Sequence, residues 1–251
     1  MKLATVFFLL ILSLPHANAQ SPDEMFDKAN KRYQEGQYAD AAAGYESILQ
    51  NGLVSEALYF NLGNAYYKLG RIPDAIVSYE RARKLDPSDE DLAHNLKLAN
   101  LSIADRIDAT PHLFIWDWWD GIKNSFSFPG ITWMTYLAYL LSFVFLSLFF
   151  AGRSYKLRRL GLYGTFGSAG LFLVLLLLFF VKLSDATTYD EAIIMSSVVS
   201  IKNSPDQNST DAFVLHSGVK VKITEQVGEW VQIRLADGKV GWMPLKGLEL
   251  I

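Results

Sequence analysis

The chain has 251 residues, with 26 acidic against 23 basic side chains and no cysteine. A formal net charge of -3 excludes the basic surplus of a nucleic-acid binder, and the missing thiols exclude disulfides, thiolate metal sites and a cysteine nucleophile. The fold must be held by packing alone.

Met1-Lys2 precedes an apolar run over 3–14 that ends at Pro15, and Ala17-Asn18-Ala19 follows as a small-x-small site. That pattern reads as a signal peptide over 1–19 cleaved before Gln20, because the run is too short to span a bilayer. With no cysteine to acylate, lipoprotein processing is excluded.

From Asp23 to Asp86 the sequence repeats at an interval of 34: Ala29 returns as Gly63, Asn30 as Asn64, Tyr33 as Tyr67, Gly36 as Gly70, Ala41 as Ala75 and Tyr45 as Tyr79. The second copy reads Tyr59-x-x-Leu62-Gly63-x-x-Tyr66, then Ala75-x-x-x-Tyr79 and Pro87, and it resembles the tetratricopeptide repeat. The first copy departs from the motif at Arg32 and Leu53. Small residues let two helices approach, Gly36 and Gly70 suit left-handed helix caps, and Pro73 fits a first turn. Such repeats need a cap, and 88–107 supplies one, with Ser88 as N-cap and an apolar stripe of Leu92, Leu96, Ala99 and Ile103. A five-helix solenoid over 20–107 is expected.

The resemblance implies that the first helix of each repeat lines a concave groove carrying Phe26, Asn30 and Tyr33, then Phe60, Asn64, Tyr67 and Lys68. Amides flanked by rings suit an extended peptide segment of a protein partner. The competing reading packs the rings between helices and leaves the amides solvated. Of the basic residues that clamp a peptide carboxylate in this family, Lys68 is the one candidate.

After a linker at 108–113, Ile115, Trp118, Trp119, Ile122 and Phe126 fall on one helical face, with Asp117, Asp120, Lys123 and Asn124 on the other. That amphipathic pattern, with Trp116 beside it, reads as a helix lying in the membrane interface, or as one packed on the solenoid. Two uncharged stretches, 131–150 and 160–181, are each long enough to cross a bilayer. The connector at 151–159 carries Arg153, Lys156, Arg158 and Arg159 and no acid. Short basic loops stay in the cytoplasm, so both flanks are expected outside, at the cytoplasmic (inner) membrane. Gly161, Gly164, Gly167, Ser168 and Gly170 form a ridge of small residues expected to pack on the first span.

A tether over 182–191 leads to short runs rich in Val, Ile and Thr at 192–251. Val199-x-Ile201-Lys202-x-x-Pro205, Leu215-x-x-Gly218-x-Lys220-Val221, Glu229-Trp230-Val231-Gln232-Ile233, Asp237-Gly238 and Gly241-Trp242-Met243-Pro244 together resemble a bacterial SH3 domain. Asp237-Gly238 is expected to form a type I′ hairpin turn, and 248–251 to close the sheet. Trp230 and Trp242 read either as a ligand platform or as rings packed across paired strands.

The histidines are scattered and no metal pair, nucleophile elbow or phosphate loop is present, so neither an enzyme nor a cofactor is expected. The fold class is a multidomain membrane protein with an all-α tetratricopeptide solenoid, a transmembrane helical hairpin and a small all-β SH3-like barrel. That order is similar to BatE-type proteins of the bacterial aerotolerance operon. The resemblance implies a non-enzymatic scaffold for membrane-anchored partners with von Willebrand A-type domains, in stress tolerance or envelope biogenesis. The alternative is a wall-sensing adaptor whose SH3 domain holds peptidoglycan peptides and whose solenoid recruits a hydrolase or regulator.

Overall fold

The computed structural model describes residues 21–108, 114–187 and 190–251. The leader with its cleavage site, linker residues 109–113, the side chains of Trp116, Asp117, Asp120, Asn124, Asp185, Ala186 and Thr187, and tether residues 188–189 lie outside that description.

Five helices form the N-terminal layer: α1 (Pro22–Gln34), α2 (Tyr38–Gln50), α3 (Glu56–Lys68), α4 (Ile72–Leu85) and α5 (Glu90–Leu101). The helices α1, α3 and α5 begin 34 residues apart, each behind a side-chain N-cap: Ser21, Ser55 and Asp89. Each cap satisfies a donor that the first turn leaves without a partner. At α5 the cap is Asp89, which accepts from Leu92 N at 3.0 Å, and not Ser88, whose hydroxyl instead bonds Asp86. Gly36 and Gly70 turn the chain after α1 and α3 at φ +79° and +73°, a region that favours glycine.

The helices pack around Tyr45, Tyr79, Leu58, Ile76 and Leu92, all buried. Gly63 makes room for this core, since a Cβ there would stand 2.6 Å from the Tyr79 ring. In the first repeat, Lys28 and Arg32 hold the positions of Leu62 and Tyr66. Tyr66 donates its hydroxyl to Glu46 of the repeat before it. No described helix lies on that side of α1, so a charged pair there meets solvent, as the polar end of a solenoid requires.

The amphipathic helix α6 (Phe114–Asn124) exposes Phe114, Ile115 and Trp118, while Phe126, just beyond it, packs on the hairpin. Two long apolar helices follow, α7 (Phe128–Ala151) and α8 (Tyr155–Thr187), both long enough to cross a membrane. Only residues 152–154 join them. Lys156, Arg158 and Arg159, expected in the connector, therefore stand in the first turns of α8, where Ser154 caps Leu157 N at 3.3 Å. Gly161 and Gly164 lie against the Phe149 backbone and the Phe145 ring of α7, which accounts for two of the five residues of the small-residue ridge. Gly167 and Gly170 face open space instead.

The C-terminal domain is a seven-stranded antiparallel sheet in the order β3-β2-β6-β5-β4-β1-β7. Its strands are β1 (Glu191–Ile194), β2 (Val198–Lys202), β3 (Asp211–His216), β4 (Lys220–Val227), β5 (Trp230–Arg234), β6 (Val240–Pro244) and β7 (Leu248–Leu250). The β5–β6 turn is not type I′, which needs positive φ at both central residues. Among the described residues only glycines have positive φ, so Asp237 does not qualify and Gly238 alone does, at +89°. Leu235 N donates to Lys239 O and Gly238 N to Leu235 O, which makes a three-residue loop with a glycine bulge.

The two domains flanking the hairpin are not separate. Ile193 of β1 and Ile251 are buried in the same apolar cluster as α4 and α5, and Ile103 packs against both domains' cores. The apolar stripe of the cap thus leaves the helix after Leu101 and continues as a bridge through Ile103 and Ile107 into the β-domain core.

Candidate functional site

The repeated Phe, Asn and Tyr triplets sit where α1 and α3 face the next repeat. Asn30 Oδ1 accepts from Tyr45 Oη at 2.7 Å and from Asn61 Nδ2 at 3.1 Å. One repeat later Asn64 Oδ1 accepts from Tyr79 Oη at 2.8 Å and from Asn95 Nδ2 at 2.9 Å. Burial, and then the neighbouring Tyr33, push the Tyr45 hydroxyl up to about 12. Burial likewise raises Tyr79, so both hydroxyls remain protonated donors at neutral pH.

The asparagines are therefore not the loose, solvated amides of the competing reading. Their carbonyl ends tie the second helix of one repeat to the first helix of the next, and loss of such a bond from a half-buried site costs roughly 1 kcal/mol or more. Their Nδ2 atoms have no protein acceptor among the described residues and are not sealed from solvent. Each amide is thus divided: the oxygen holds the fold, and the nitrogen is left without a protein acceptor among the described residues.

The aromatic members are shared in the same way. Phe26 lies 5.8 Å from Tyr45 and Phe60 6.1 Å from Tyr79, ring centre to ring centre. Phe26, Tyr33, Phe60 and Tyr67 are all half-buried against the solenoid core. Lys68 stands exposed at the end of α3, with no acidic partner among the described residues. The residues that sequence reading missed are Asn61 and Asn95. They repeat at the same interval of 34, so the register alone extends to α5 as the first helix of a third, half repeat.

On the β-domain, Trp230 pairs with Pro244 and Gln232 with Trp242 across β5 and β6. By strand alternation these four share the face opposite to Val231, Ile233 and Met243, which are completely buried. Trp242 retains only 8 % of its surface, so Trp230 is the aromatic side chain that this face offers.

Neither surface takes part in the contact between the domains. That contact runs from α4 to β1, β4 and β7. Arg81 bridges to Glu249 at 2.6 Å and to Leu250 O at 2.7 Å, and Lys84 donates to Ile251 O at 2.8 Å. Glu80, with 6 % of its side chain exposed, holds Arg83 at 2.6 Å and Lys220 at 3.2 Å, while Lys220 also reaches Glu191 at 2.7 Å. A carboxylate so enclosed needs both cations, because burial without them would cost several kcal/mol. Asp105 closes the far side, accepting from His216 N at 2.6 Å and facing its Nδ1 at 3.0 Å. Among the described residues no group of three or more His, Asp or Glu is placed to hold a metal ion.

The tetratricopeptide repeat family matches residues 57–89, which covers the second copy of the repeat and the cap of α5. The bacterial SH3 domain family matches residues 197–249. Both are families of binding modules, typically without catalysis. No curated protein matches the chain.

Proposed function

We propose that the chain is a membrane-anchored scaffold without catalytic activity, which grips an extended segment of a partner in its solenoid groove and makes a second contact through the Trp230 face of its SH3-like domain. The match to two binding families supports the class. The observation that carries the groove is the pair of Asn30 and Asn64 Nδ2 donors, one repeat apart on equivalent helices and framed by Phe26, Tyr33, Phe60, Tyr67 and Lys68. Main-chain carbonyls of an extended peptide meet donors of that kind, and rings cover its side chains. Membrane-anchored proteins with A-type domains are the partners that the likeness to BatE-type proteins suggests. Cell-wall peptides are the second ligand class for the SH3-like face.

Asn30→Asp together with Asn64→Asp tests the groove without removing the fold's own bonds, because aspartate keeps the acceptor for Tyr45 and Tyr79 and deletes the outward donor. Partner recovery from detergent extracts of the full chain is expected to fall at least tenfold, since two bonds of about 1 kcal/mol each exceed one decade of affinity. The thermal melt should fall only modestly, since each new carboxylate still accepts two hydrogen bonds and stays partly solvated. Undiminished recovery with an intact melt would overturn the groove.

Orientation follows from the basic inner end of the hairpin. A reporter active only outside the cytoplasm is expected to work when joined after Ile251. Activity there of a strictly cytoplasmic reporter would refute the two-span topology.

A further inference from the structure

The inner end of the hairpin carries a cluster of charge that no described residue neutralises. Arg153, Lys156, Arg158 and Arg159 are all exposed, and no acidic residue occurs anywhere from Gly121 to Ser184. None of the four has an ion-pair partner among the described residues. Topology needs positive charge near the turn, but it does not need that charge to be ordered.

Two of the cations stand over aromatic rings. The Arg158 guanidinium lies 5.8 Å from the centre of the Phe149 ring on α7, and the Arg159 guanidinium 5.5 Å from the Tyr163 ring on α8. The stem of Arg158 also passes close over Gly152, where a Cβ would stand 3.2 Å from its Cγ. One arginine therefore leans across the turn onto the first helix and the other up the second, each backed by a ring that restrains its plane. A restrained guanidinium presents a planar fork of donors matched to a phosphate, at a lower ordering cost than a free lysine.

We propose that the inner mouth of the hairpin binds the phosphate headgroups of anionic phospholipids, with Arg158 and Arg159 as the gripping residues and Arg153 and Lys156 as supporting charge. This rests on α7 and α8 crossing a bilayer, which places the cluster at the headgroup level below Phe149 and Tyr163. Each cation near an anionic leaflet contributes about 1 kcal/mol, so the gripping pair is worth a factor of roughly 30 in preference.

The test uses the full chain in nanodiscs of phosphatidylcholine containing one-fifth phosphatidylglycerol, with retained lipid read by native mass spectrometry. The wild type is expected to hold phosphatidylglycerol far above its mole fraction. Arg158→Gln with Arg159→Gln should reduce the ratio of retained phosphatidylglycerol to retained phosphatidylcholine about 30-fold, and Arg158→Lys with Arg159→Lys should fall between the two. Enrichment that survives the glutamine pair overturns the site, and full enrichment in the lysine pair overturns the forked grip. Inorganic phosphate added to pure phosphatidylcholine discs separates the two sources of the anion: stabilisation equal to that given by phosphatidylglycerol would mean a free anion and overturn the lipid assignment. A chain that fails to enter the discs would refute the spanning helices themselves, and the proposal with them.

Discussion

Gly218→Val is expected to break the union of solenoid and β-domain, with a loss of about 3 kcal/mol or more. Gly218 has φ +94°, where a branched side chain costs roughly 1–3 kcal/mol in backbone strain. A Cβ there would also collide with Ile103 Cγ2 and stand 3.5 Å from Ile76 Cδ1, at the centre of the contact between the domains. Ile103 has nowhere to retreat, because it already packs on both cores, and overpacking of this kind costs a further 1–3 kcal/mol or so. Gly228→Val is the control: its φ is +60° but nothing lies within 4 Å of its Cβ, so it reports strain alone. Hydrogen exchange on the full chain in detergent should show faster opening of α4, β1 and the Ile103 bridge in Gly218→Val only. Equal exchange in the two variants would mean that the domains do not support one another.

Gly63→Ala should destabilise the solenoid by about 2 kcal/mol, although alanine is the better helix former by roughly 1 kcal/mol. The new methyl would lie 2.6 Å from both Cδ1 and Cε1 of Tyr79, a ring that is 1 % exposed and tied through its hydroxyl to Asn64. The ring can yield only by giving up that bond or by prising α3 from α4. The first repeat shows how the same methyl is tolerated. It has Ala29 at this position, and Gly44 stands against it where the second repeat has Ser78, with only 3.0 Å available to a Cβ. Adding Ser78→Gly to Gly63→Ala recreates that pair and is expected to recover part of the loss. A melt of Gly63→Ala at or above the wild-type temperature would show that the packing is slack.

The groove was half legible. Register at 34 residues placed Phe26, Asn30 and Tyr33 on one helix and Phe60, Asn64 and Tyr67 on its equivalent, but it could not show which end of each amide is occupied. That depends on Tyr45 and Asn61, 15 and 31 residues away, and on how far apart the helices settle. The cap of α5 was misplaced by one residue, because Ser88 and Asp89 both have cap chemistry and only the geometry of Asp86 draws Ser88 aside.

Periodicity, composition and turn chemistry act along the chain, and so the sequence by itself determined the repeat, the two apolar helices and the β character of the C-terminal domain with its β5–β6 hairpin. A 34-residue interval, twenty apolar residues in a row and alternating β-branched runs each have few structural solutions. Only the tertiary structure decided that the solenoid and the β-domain join. The residues that join them, Glu80 with Lys220, Arg81 with Glu249 and Asp105 with His216, lie 111 to 168 positions apart. In the sequence each is an ordinary polar residue of the kind that usually faces water. Their pairing leaves no periodic trace, because it is set by where two rigid surfaces meet, and the close approach of Gly218 to Ile103 and Ile76 exists only once both surfaces are built.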